Sequence, residues 1–547
     1  MKGDLFMKRK VLAALLAAAM AGTLLAGCGT PGSKDKGGDS DEKVFRYSTR
    51  TEPTTLDPTK ANCIPDNELQ HAITEGLVRN TGGEIKPGVA ESWEVSEDGL
   101  TYTFHLNPDA KWSDGEQIKA QDFVYGWQRL VDPATAAPYA FIGEYIVNGA
   151  EVEKGKVDPS ELAVVAQDTT LVVTLVHPTA YFLSLIGASG NFAPVRQDIV
   201  EEYGKDFAAD AEKNVYSGPY KLTSSANQKY VFEPNENYWD KDSIKLDRAE
   251  MSYVQNQETA LAMYEDGELD YVEIPSASAD KYKDEAEVFR NGNVDYFYFN
   301  CGGENKAMTN KNFRLALNYA LNRNDYNTLV NNGLYAPSVD VVFSGLTGVE
   351  STWGEESNLQ SYPLDGDEAK AKEYLNAAMS ELGVSNPSDI TVTITTTDSD
   401  SAKKQAEVCQ EMWQKALGIK IEIEQVTYNE CLTRQQSGDY EIAWGGWVSD
   451  YDDPYSYLEL FKSDSPYNYS RYKNEKVDEL LNASQLEVDA AKRMDMLHQA
   501  DQIIVDDAAF LPQAEREVHY LVRDNVEGLV QFYSSINLDW VYVDMTE

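Results

Sequence analysis

The chain has 547 residues, of which 47 are basic and 91 acidic, and its formal net charge is −44 at pH 7. Proteins that bind nucleic acid need clustered lysine and arginine against the phosphates, so this charge excludes that class. The length exceeds what one hydrophobic core usually organises, and we expect two or three domains. The acidity is typical of a well-solvated surface, although it leaves open the steering of cationic ligands.

The first 27 residues have the pattern of an export signal. The basic run 8–10 precedes the uncharged, mostly apolar run 11–25. As a helix, the apolar run would span roughly 22 Å, which is short of the roughly 30 Å hydrocarbon core of a membrane. The string LAGC (25–28) then has the pattern of a lipobox, which predicts cleavage before Cys28 and lipidation of that residue. Two alternatives stay open: translation starting at Met7, and a buried amphipathic helix with a chance cysteine.

The segment 28–42 predicts a flexible tether. Its string GTPGSKDKGGDSDE (29–42) contains almost nothing apolar and cannot offset the entropy of ordering. Two or more acyl chains on Cys28 would hold the protein to a membrane without a transmembrane helix. The other four cysteines are widely spaced and contain no CxxC, so the sequence predicts neither a disulfide framework nor a zinc site.

Strands and helices both follow along the chain. Alternating or continuous apolar residues predict strands at 101–106 and 171–175, the second ended by a proline. Apolar residues at helical spacing predict helices over 312–322 and 488–506. The chain is therefore predicted to be of the α/β class.

The clearest passage is a strand–helix–strand unit. Strands are predicted at 390–394 and 419–423, where apolar and polar residues alternate, and a helix ended by Gly418 lies between them. Such a unit in one sheet is almost always parallel and right-handed.

The usual signatures of enzymes and metal sites are missing from the sequence. It contains no GxSxG, HExxH or GxGxxG string. Asp450, Asp452 and Asp453 suggest calcium, but Pro454 and Tyr455 stand where an EF-hand loop needs an oxygen ligand and a glycine. We therefore predict no catalytic residue, no cofactor and no metal. The chain is instead rich in aromatic residues, with 33 tyrosines and 9 tryptophans.

A series of strings matches one protein family. In chain order they are EPTTLDP (52–58), PGVAESW (87–93), KWSDG (111–115), DFVYGWQRL (122–130), DPATAAPYA (132–140), SGPY (217–220), NYW (237–239) and FRLAL (313–317). Through these strings the chain resembles the oligopeptide-binding proteins of bacterial ABC importers, within the dipeptide, oligopeptide and nickel-binding superfamily. The resemblance covers nearly all of the chain after the signal.

The resemblance implies a two-lobed α/β fold of the periplasmic-binding-protein type, class II and cluster C, with an additional domain in the first lobe. The implied divisions are a first-lobe core of 43–74, 199–294 and 515–547, an additional domain of 75–198, and a second lobe of 295–514. It implies a monomeric lipoprotein outside the cytoplasm that captures short peptides and delivers them to an ABC permease with its ATPase subunits. Catalysis, cofactors and nucleic acid are not expected.

The resemblance also implies a ligand site. The string GWVSDY (446–451) is similar to the stretch whose aspartate holds a peptide's α-ammonium group, which points to Asp450 with Trp447 and Val448 beside it. Tyr139 matches a tyrosine that contacts the ligand near the same end. Asn62 to Ile64 corresponds to an extended strand that pairs with the peptide main chain. Capping by Asp450 before a turn and core packing of Tyr139 are the alternatives.

Three further residues are implied near the other end of the ligand. Arg434 stands at a position that lies near the carboxylate in relatives, with a surface arginine as the alternative. Trp444 occupies the place of an arginine found in some relatives, and Tyr428 lies where relatives have a stacking tryptophan.

The sequence leaves other functions open. The same fold could bind a dipeptide, a nickel complex, haem, an oligosaccharide or a signalling peptide. A secreted hydrolase would need a nucleophile with its base or a metal cluster, and a structural or adhesive lipoprotein would have no cleft.

Overall fold

The computed structural model describes residues 42–534 and 536–546. The predicted signal, Cys28 and the tether up to residue 41 lie outside the described residues. Within the described ranges, no helix is both long and apolar enough to cross a membrane. The described residues from Lys43 onward form one compact unit.

The described chain contains strands and α-helices in mixed order. The strands are β1 (Val44–Thr49), β2 (Val78–Thr81), β3 (Glu84–Pro87), β4 (Ala90–Val95), β5 (Thr101–Leu106), β6 (Val164–Gln167), β7 (Thr170–Thr174), β8 (Tyr220–Ser224), β9 (Lys229–Pro234), β10 (Arg248–Tyr253), β11 (Tyr271–Glu273), β12 (Glu287–Phe299), β13 (Ala336–Pro337), β14 (Thr391–Thr397), β15 (Lys420–Val426), β16 (Ile442–Trp447), β17 (Phe510–Val522), β18 (Val526–Glu527), β19 (Val530–Ser534), β20 (Ile536–Asp539) and β21 (Asp544–Met545).

The helices are α1 (Ile64–Ile73), α2 (Ala120–Val131), α3 (Gly149–Glu153), α4 (Phe182–Ala188), α5 (Gln197–Tyr203), α6 (Gln257–Glu265), α7 (Ala279–Tyr282), α8 (Lys306–Thr309), α9 (Lys311–Ala320), α10 (Arg323–Asn331), α11 (Trp353–Glu356), α12 (Glu368–Leu382), α13 (Asp400–Leu417), α14 (Tyr428–Ser437), α15 (Tyr455–Leu458), α16 (Glu475–Leu486) and α17 (Ala490–Asp506).

Three larger sheets organise the chain. Two have four strands, in the orders β1-β10-β9-β8 and β4-β5-β7-β6. The third has the order β11-β17-β12-β16-β14-β15, with β13 also pairing with β17. Short pairs of strands complete the architecture, so the predicted α/β class is confirmed.

The predicted strand–helix–strand unit is confirmed. Strands β14 and β15 pair in parallel, with Ile394 opposite Ile423, and α13 connects them. The helix ends at Gly418, which has φ 71° and ψ 14°, a left-handed conformation that glycine adopts without steric cost. Strand β14 also pairs in parallel with β16, which carries the chain toward Asp450.

The other predicted elements are found with small shifts at their ends. Strand β5 matches the prediction, and β7 begins and ends one residue earlier than predicted. Of the two predicted helices, α9 ends two residues earlier and α17 begins two residues later than predicted. Asn310 explains the start of α9, because its side-chain oxygen accepts a hydrogen bond from the backbone N–H of Phe313.

Two strands of 13 residues each, β12 and β17, run antiparallel through the largest sheet. One end of β17 pairs with β11, and the part of β12 from Val294 to Phe299 pairs with β16. The register of the β12–β17 pairing shifts between Arg290 and Val294, where Gly292 has φ 75°. The strands cross the predicted lobe boundaries at 294/295 and 514/515, and these boundaries stay a prediction.

The cysteines within the described residues, Cys63, Cys301, Cys409 and Cys431, are free thiols. In the same part of the chain, no group of three or more His, Cys, Asp or Glu side chains is placed to hold a metal ion.

Candidate functional site

A cavity of about 180 Å³ brings together segments that are far apart in the sequence. We call it the Asp450 cavity. Its lining residues are Ala61, Asn62, Cys63, Ile64, Asn67, Tyr139, Ile142, Leu185, Ser189, Asn191, Val448, Ser449, Asp450 and Ser534. Five of the residues implied by the resemblance therefore meet at one place: Asn62, Ile64, Tyr139, Val448 and Asp450.

Asp450 follows the end of β16 in a turn that other buried groups hold in place. Its backbone N–H donates to the hydroxyl of Ser456 at 3.2 Å. Ser456 is fully buried and its own N–H donates to the carbonyl of Asp453 at 3.1 Å. These bonds fix the backbone of Asp450 just after the carboxyl end of a sheet strand, where ligand sites are common in α/β proteins.

The wall opposite Asp450 begins at the start of α1. The buried carboxylate of Asp66 accepts from the hydroxyl of Thr54 at 2.8 Å and from the backbone N–H of Asn62 at 3.3 Å. The amide of Asn191 donates to the carbonyls of Pro58 and Ala61 at 2.9 and 3.1 Å. These bonds fix the backbone next to the cavity from two sides.

The prediction of an extended strand from Asn62 to Ile64 is wrong. Ile64 is the first residue of α1, and Cys63, with φ −144° and ψ 161°, is the extended residue that precedes the helix. Backbone N–H groups in the first turn of a helix have no partner within the helix, so Pro65, which has no N–H, is well suited to this position. The negative charge of Asp66 interacts favourably with the helix dipole. The sequence carried this helix-start signal, and Cys63 remains the extended residue before the helix.

Tyr139 lies at the edge of the Asp450 cavity, where it begins a short 3-10 turn (Ala140–Tyr145). Its ring packs against Phe141, with centroids 5.1 Å apart. Burial raises the pKa of its phenol to about 12, and the charge of Asp450 adds to this effect. The phenol therefore stays protonated at neutral pH and can donate or accept a hydrogen bond.

Trp447 stands beside the cavity and not among its lining residues. Its ring packs against Tyr467 with centroids 5.6 Å apart. The buried Nε1 of Trp447 has no hydrogen-bond acceptor among the described residues. A buried indole N–H normally has an acceptor, so this donor is available to water or to a ligand.

The structure does not bring Arg434, Tyr428 and Trp444 to the Asp450 cavity. The Arg434 guanidinium donates to Glu424 at 2.7 Å and to Glu430 at 2.9 Å. Tyr428 is 55% exposed, and its ring lies edge-on to Trp444 with centroids 6.4 Å apart. Two glutamates already neutralise Arg434, which argues against a free cation at this place.

Asp450 has a perturbed carboxyl group. Burial raises its pKa to about 6. A second acid, Glu459, has a pKa raised to about 8 by burial and by the charge of Asp450. The hydroxyl of Tyr451 donates to Glu459 at 3.3 Å. A cation placed against Asp450 would lower the electrostatic cost of both carboxylates, so the site is chemically prepared for an ammonium group.

Sequence reasoning missed Glu459 as part of this site. It lies nine residues after Asp450, in the aromatic-rich segment 443–460. There it begins a 3-10 turn (Glu459–Phe461) that follows α15. The one sequence signal for Glu459 is that it is an acidic residue among aromatic residues. Its closeness to Asp450 depends on the fold of the turn and cannot be predicted from the sequence.

The raised pKa of Asp450 has a consequence for stability. The pKa is higher in the folded chain than the usual 3.8, so its stabilising contribution is complete below pH 3.8 and is lost as the pH rises through about 6. Asp450→Asn is therefore expected to stabilise the unliganded protein by about 1–3 kcal/mol at pH 8 and by almost nothing at pH 3.5. Urea unfolding of both proteins at the two pH values measures this, and equal effects at both would contradict it.

The comparisons with known proteins agree with one another. Residues 84–469 match the family described as "Bacterial extracellular solute-binding proteins, family 5 Middle". The chain is 32% identical over 521 residues to the oligopeptide-binding protein OppA of Bacillus subtilis, which covers 93% of this chain and 94% of that protein. It is 30% identical over 517 residues to the dipeptide-binding protein DppE of the same organism, covering 94% of each.

A solved structure has the same fold. It is Listeria monocytogenes OppA bound to peptide, with a TM-score of 0.73 and 31% sequence identity. The match covers 93% of this chain and 100% of the other.

Proposed function

The chain belongs to family 5 of the bacterial extracellular solute-binding proteins, and from this premise and the Asp450 cavity we propose that its solute is a short peptide with a free amino group. One observation carries the proposal. The Asp450 carboxyl group, which has a raised pKa, lines the same cavity as Tyr139 and the residues just before α1. Relatives named for oligopeptide binding support the same solute class.

In this account Asp450 forms a charge-assisted hydrogen bond to the peptide's α-ammonium group. Such a bond contributes about 1.5–3 kcal/mol, and it reads the amino terminus without reading any side chain. Tyr139 offers its phenol at the same end, and Asn62 with Cys63 offers backbone groups to the peptide main chain. Arg434, Tyr428 and Trp444 stay a prediction for the other end of a longer peptide.

We assign the two sides of the cavity to two lobes that close on the ligand. The first lobe combines 43–74, 199–294 and 515–547 with the additional domain 75–198, and the second lobe is 295–514. A ligand shifts an open–closed equilibrium only when it binds the closed form more tightly. A peptide that contacts Asp450 on one lobe and Asn62 or Tyr139 on the other meets this condition.

The remaining assignments follow from the family and the signal. We propose that the protein acts outside the cytoplasm, held to the membrane by lipid at Cys28, as a monomer that passes peptides to an ABC permease with its ATPase subunits. The protein itself catalyses nothing in this account.

A dipeptide is the second candidate solute. The Asp450 cavity of about 180 Å³ is smaller than the roughly 300–1,000 Å³ of typical small-molecule sites. A small cavity favours a small ligand, and one relative is named as a dipeptide-binding protein.

Thermal unfolding with a panel of solutes tests the solute class. Tetra-alanine or di-alanine at 100 times its dissociation constant is expected to stabilise the protein by about 2.7 kcal/mol, and the tighter binder identifies the preferred length. Nickel–histidine, haem and maltotriose serve as matched alternatives from the other solute classes. Stabilisation by one of these three and by neither peptide would contradict the proposal.

A further inference from the structure

A second and larger cavity lies on the other side of the α1 N-terminus. It has a volume of about 620 Å³ and is lined by the end of β1, the start of α1, β11 and part of β17. Ile64 lines both this cavity and the Asp450 cavity, so the two spaces meet at one residue. We call the larger cavity the Glu273 cavity, after the glutamate that is the last residue of β11.

Three glutamates, Glu68, Glu273 and Glu517, line this cavity, and burial raises the pKa of each. Glu517 already pairs with Arg290 at 3.6 Å, which leaves Glu68 and Glu273 as the candidates. Glu68 on α1 is only 8% exposed, and its carboxylate accepts from the backbone N–H of Asn537 at 3.2 Å. Burial raises the pKa of Glu68 to about 8, and the charge of Glu273 contributes. Burial also raises the pKa of Glu273. In the empty cavity the Glu68 carboxyl is therefore largely protonated at neutral pH, and a cation placed against the pair would favour the ionised forms of both groups.

The basic side chains that line the cavity either bind other groups or are exposed to solvent. Arg516 donates to the carboxylate of Asp295 in a bidentate pair, with distances of 2.7–3.1 Å. The ring Nε2 of His519 lies 3.1 Å from the carbonyl of Leu334. Arg50 lowers the pKa of Glu273, but it is exposed, and water screens an exposed partner strongly. Among the described residues that line the cavity, no buried arginine is therefore left to pair with Glu68 and Glu273.

We propose that the Glu273 cavity receives a lysine or arginine side chain of the bound peptide, with Glu273 and Glu68 as its carboxylate partners. The inference rests on the proposed function and deepens it by naming a preferred class of peptide. An ammonium or guanidinium group between two carboxylates satisfies both and removes the repulsion between them. An apolar side chain would desolvate the same carboxylates without compensation.

The remaining walls suit the long stem of such a side chain. Tyr47, Tyr271 and Tyr335 line the cavity and offer aromatic surface to methylene groups and to a cation. A metal ion is a poorer occupant, because the described residues contain no group of three or more His, Cys, Asp or Glu side chains placed to hold one.

Calorimetric titration with matched peptides tests the inference. The probes are tetra-alanine, four variants with one lysine at each position in turn, and four with norleucine, which keeps the stem and removes the charge. At one position, lysine is expected to bind about tenfold more tightly than norleucine at pH 7.5. Glu273→Gln and Glu68→Gln should each reduce that preference to less than about threefold, since each removes one carboxyl group that a bound ammonium group would hold in its ionised form.

The controls separate this inference from the proposed function. Glu268→Gln changes an exposed glutamate outside the cavity and should keep the full lysine preference. Tetra-alanine binding reports whether each variant is folded and binds peptide at all. Equal affinity for lysine and norleucine at every position, or a preference that survives both cavity variants, would overturn the inference alone. Failure of every tetrapeptide to bind the native protein would overturn the proposed function and this inference with it.

Discussion

Replacing Asp450 with asparagine is expected to weaken the binding of tetra-alanine by about 10- to 150-fold at pH 7.5, which corresponds to about 1.5–3 kcal/mol. The substitution keeps the shape of the side chain and removes the charge that the α-ammonium group would meet. The loss should be large because the carboxylate is buried in a cavity where water compensates poorly.

Calorimetry of the native and variant proteins measures this loss. Asp464→Asn is the matched control, since Asp464 is an exposed aspartate that pairs with Lys462 and does not line the Asp450 cavity. The control should bind like the native protein. A change of less than about threefold in Asp450→Asn would remove this residue as the ammonium partner.

Replacing Asp453 with alanine is expected to lower the free energy of unfolding by about 3–5 kcal/mol. Asp453 forms a bidentate ion pair with Arg493 at 2.7 and 2.8 Å, and the two side chains are 8% and 5% exposed. Removing the carboxylate leaves a buried guanidinium without its charged partner. The substitution also removes the acceptor for the backbone N–H of Tyr455 at 2.9 Å.

Urea unfolding measures the cost of Asp453→Ala, and a second variant identifies its origin. Asp453→Leu combined with Arg493→Met replaces the ion pair by apolar groups and should recover most of the lost stability. If Asp453→Ala costs less than about 1 kcal/mol, Arg493 finds water or another acceptor, and the structural role of the pair is wrong.

The three aspartates of the string DYDDP have different roles in the structure. Asp450 lines the cavity, and Asp453 holds Arg493. Asp452 connects distant segments, because its carboxylate accepts from Thr347 at 2.6 and 2.9 Å while its backbone N–H donates to Ser184 at 3.0 Å. Only one of the three is therefore a candidate for ligand binding.

Asp450 illustrates a cost that function imposes on stability. Its raised pKa means that the empty, charged site is less stable than a neutral one above pH 6. The same charge would be compensated when an ammonium group binds. Asp450→Asn should therefore stabilise the empty protein above pH 6 and weaken its binding. An aspartate that only caps a turn would change little on this substitution, because asparagine caps about as well as aspartate.

The sequence predicted the elements whose signals are local. The alternation at β14 and β15 and the apolar spacing in α13 were sufficient for the parallel unit, because these patterns follow from the period of each element. The string around Asp450 likewise identified the cavity's acid through the family resemblance. Tyr139 and Asn62 were placed beside it by the same means.

Other features depend on contacts between distant parts of the chain. Nothing near Arg434 in the sequence indicates that Glu424 will neutralise it, since β15 and α14 must first fold together. The closeness of Glu68 and Glu273 likewise depends on the placement of α1 against β11. The start of helix α1 at Ile64 does not depend on distant contacts. Pro65 and Asp66 are local sequence signals for a helix start.

The most direct test of the account is a double comparison by calorimetry at pH 7.5. Tetra-alanine and N-acetyl-tetra-alanine are each titrated into the native protein and into Asp450→Asn. The account predicts that acetylation weakens binding to the native protein by about 10- to 150-fold and weakens binding to Asp450→Asn by less than about threefold, because the two changes remove the same interaction. Equal losses from acetylation in both proteins would contradict the claim that Asp450 holds the amino group of the solute.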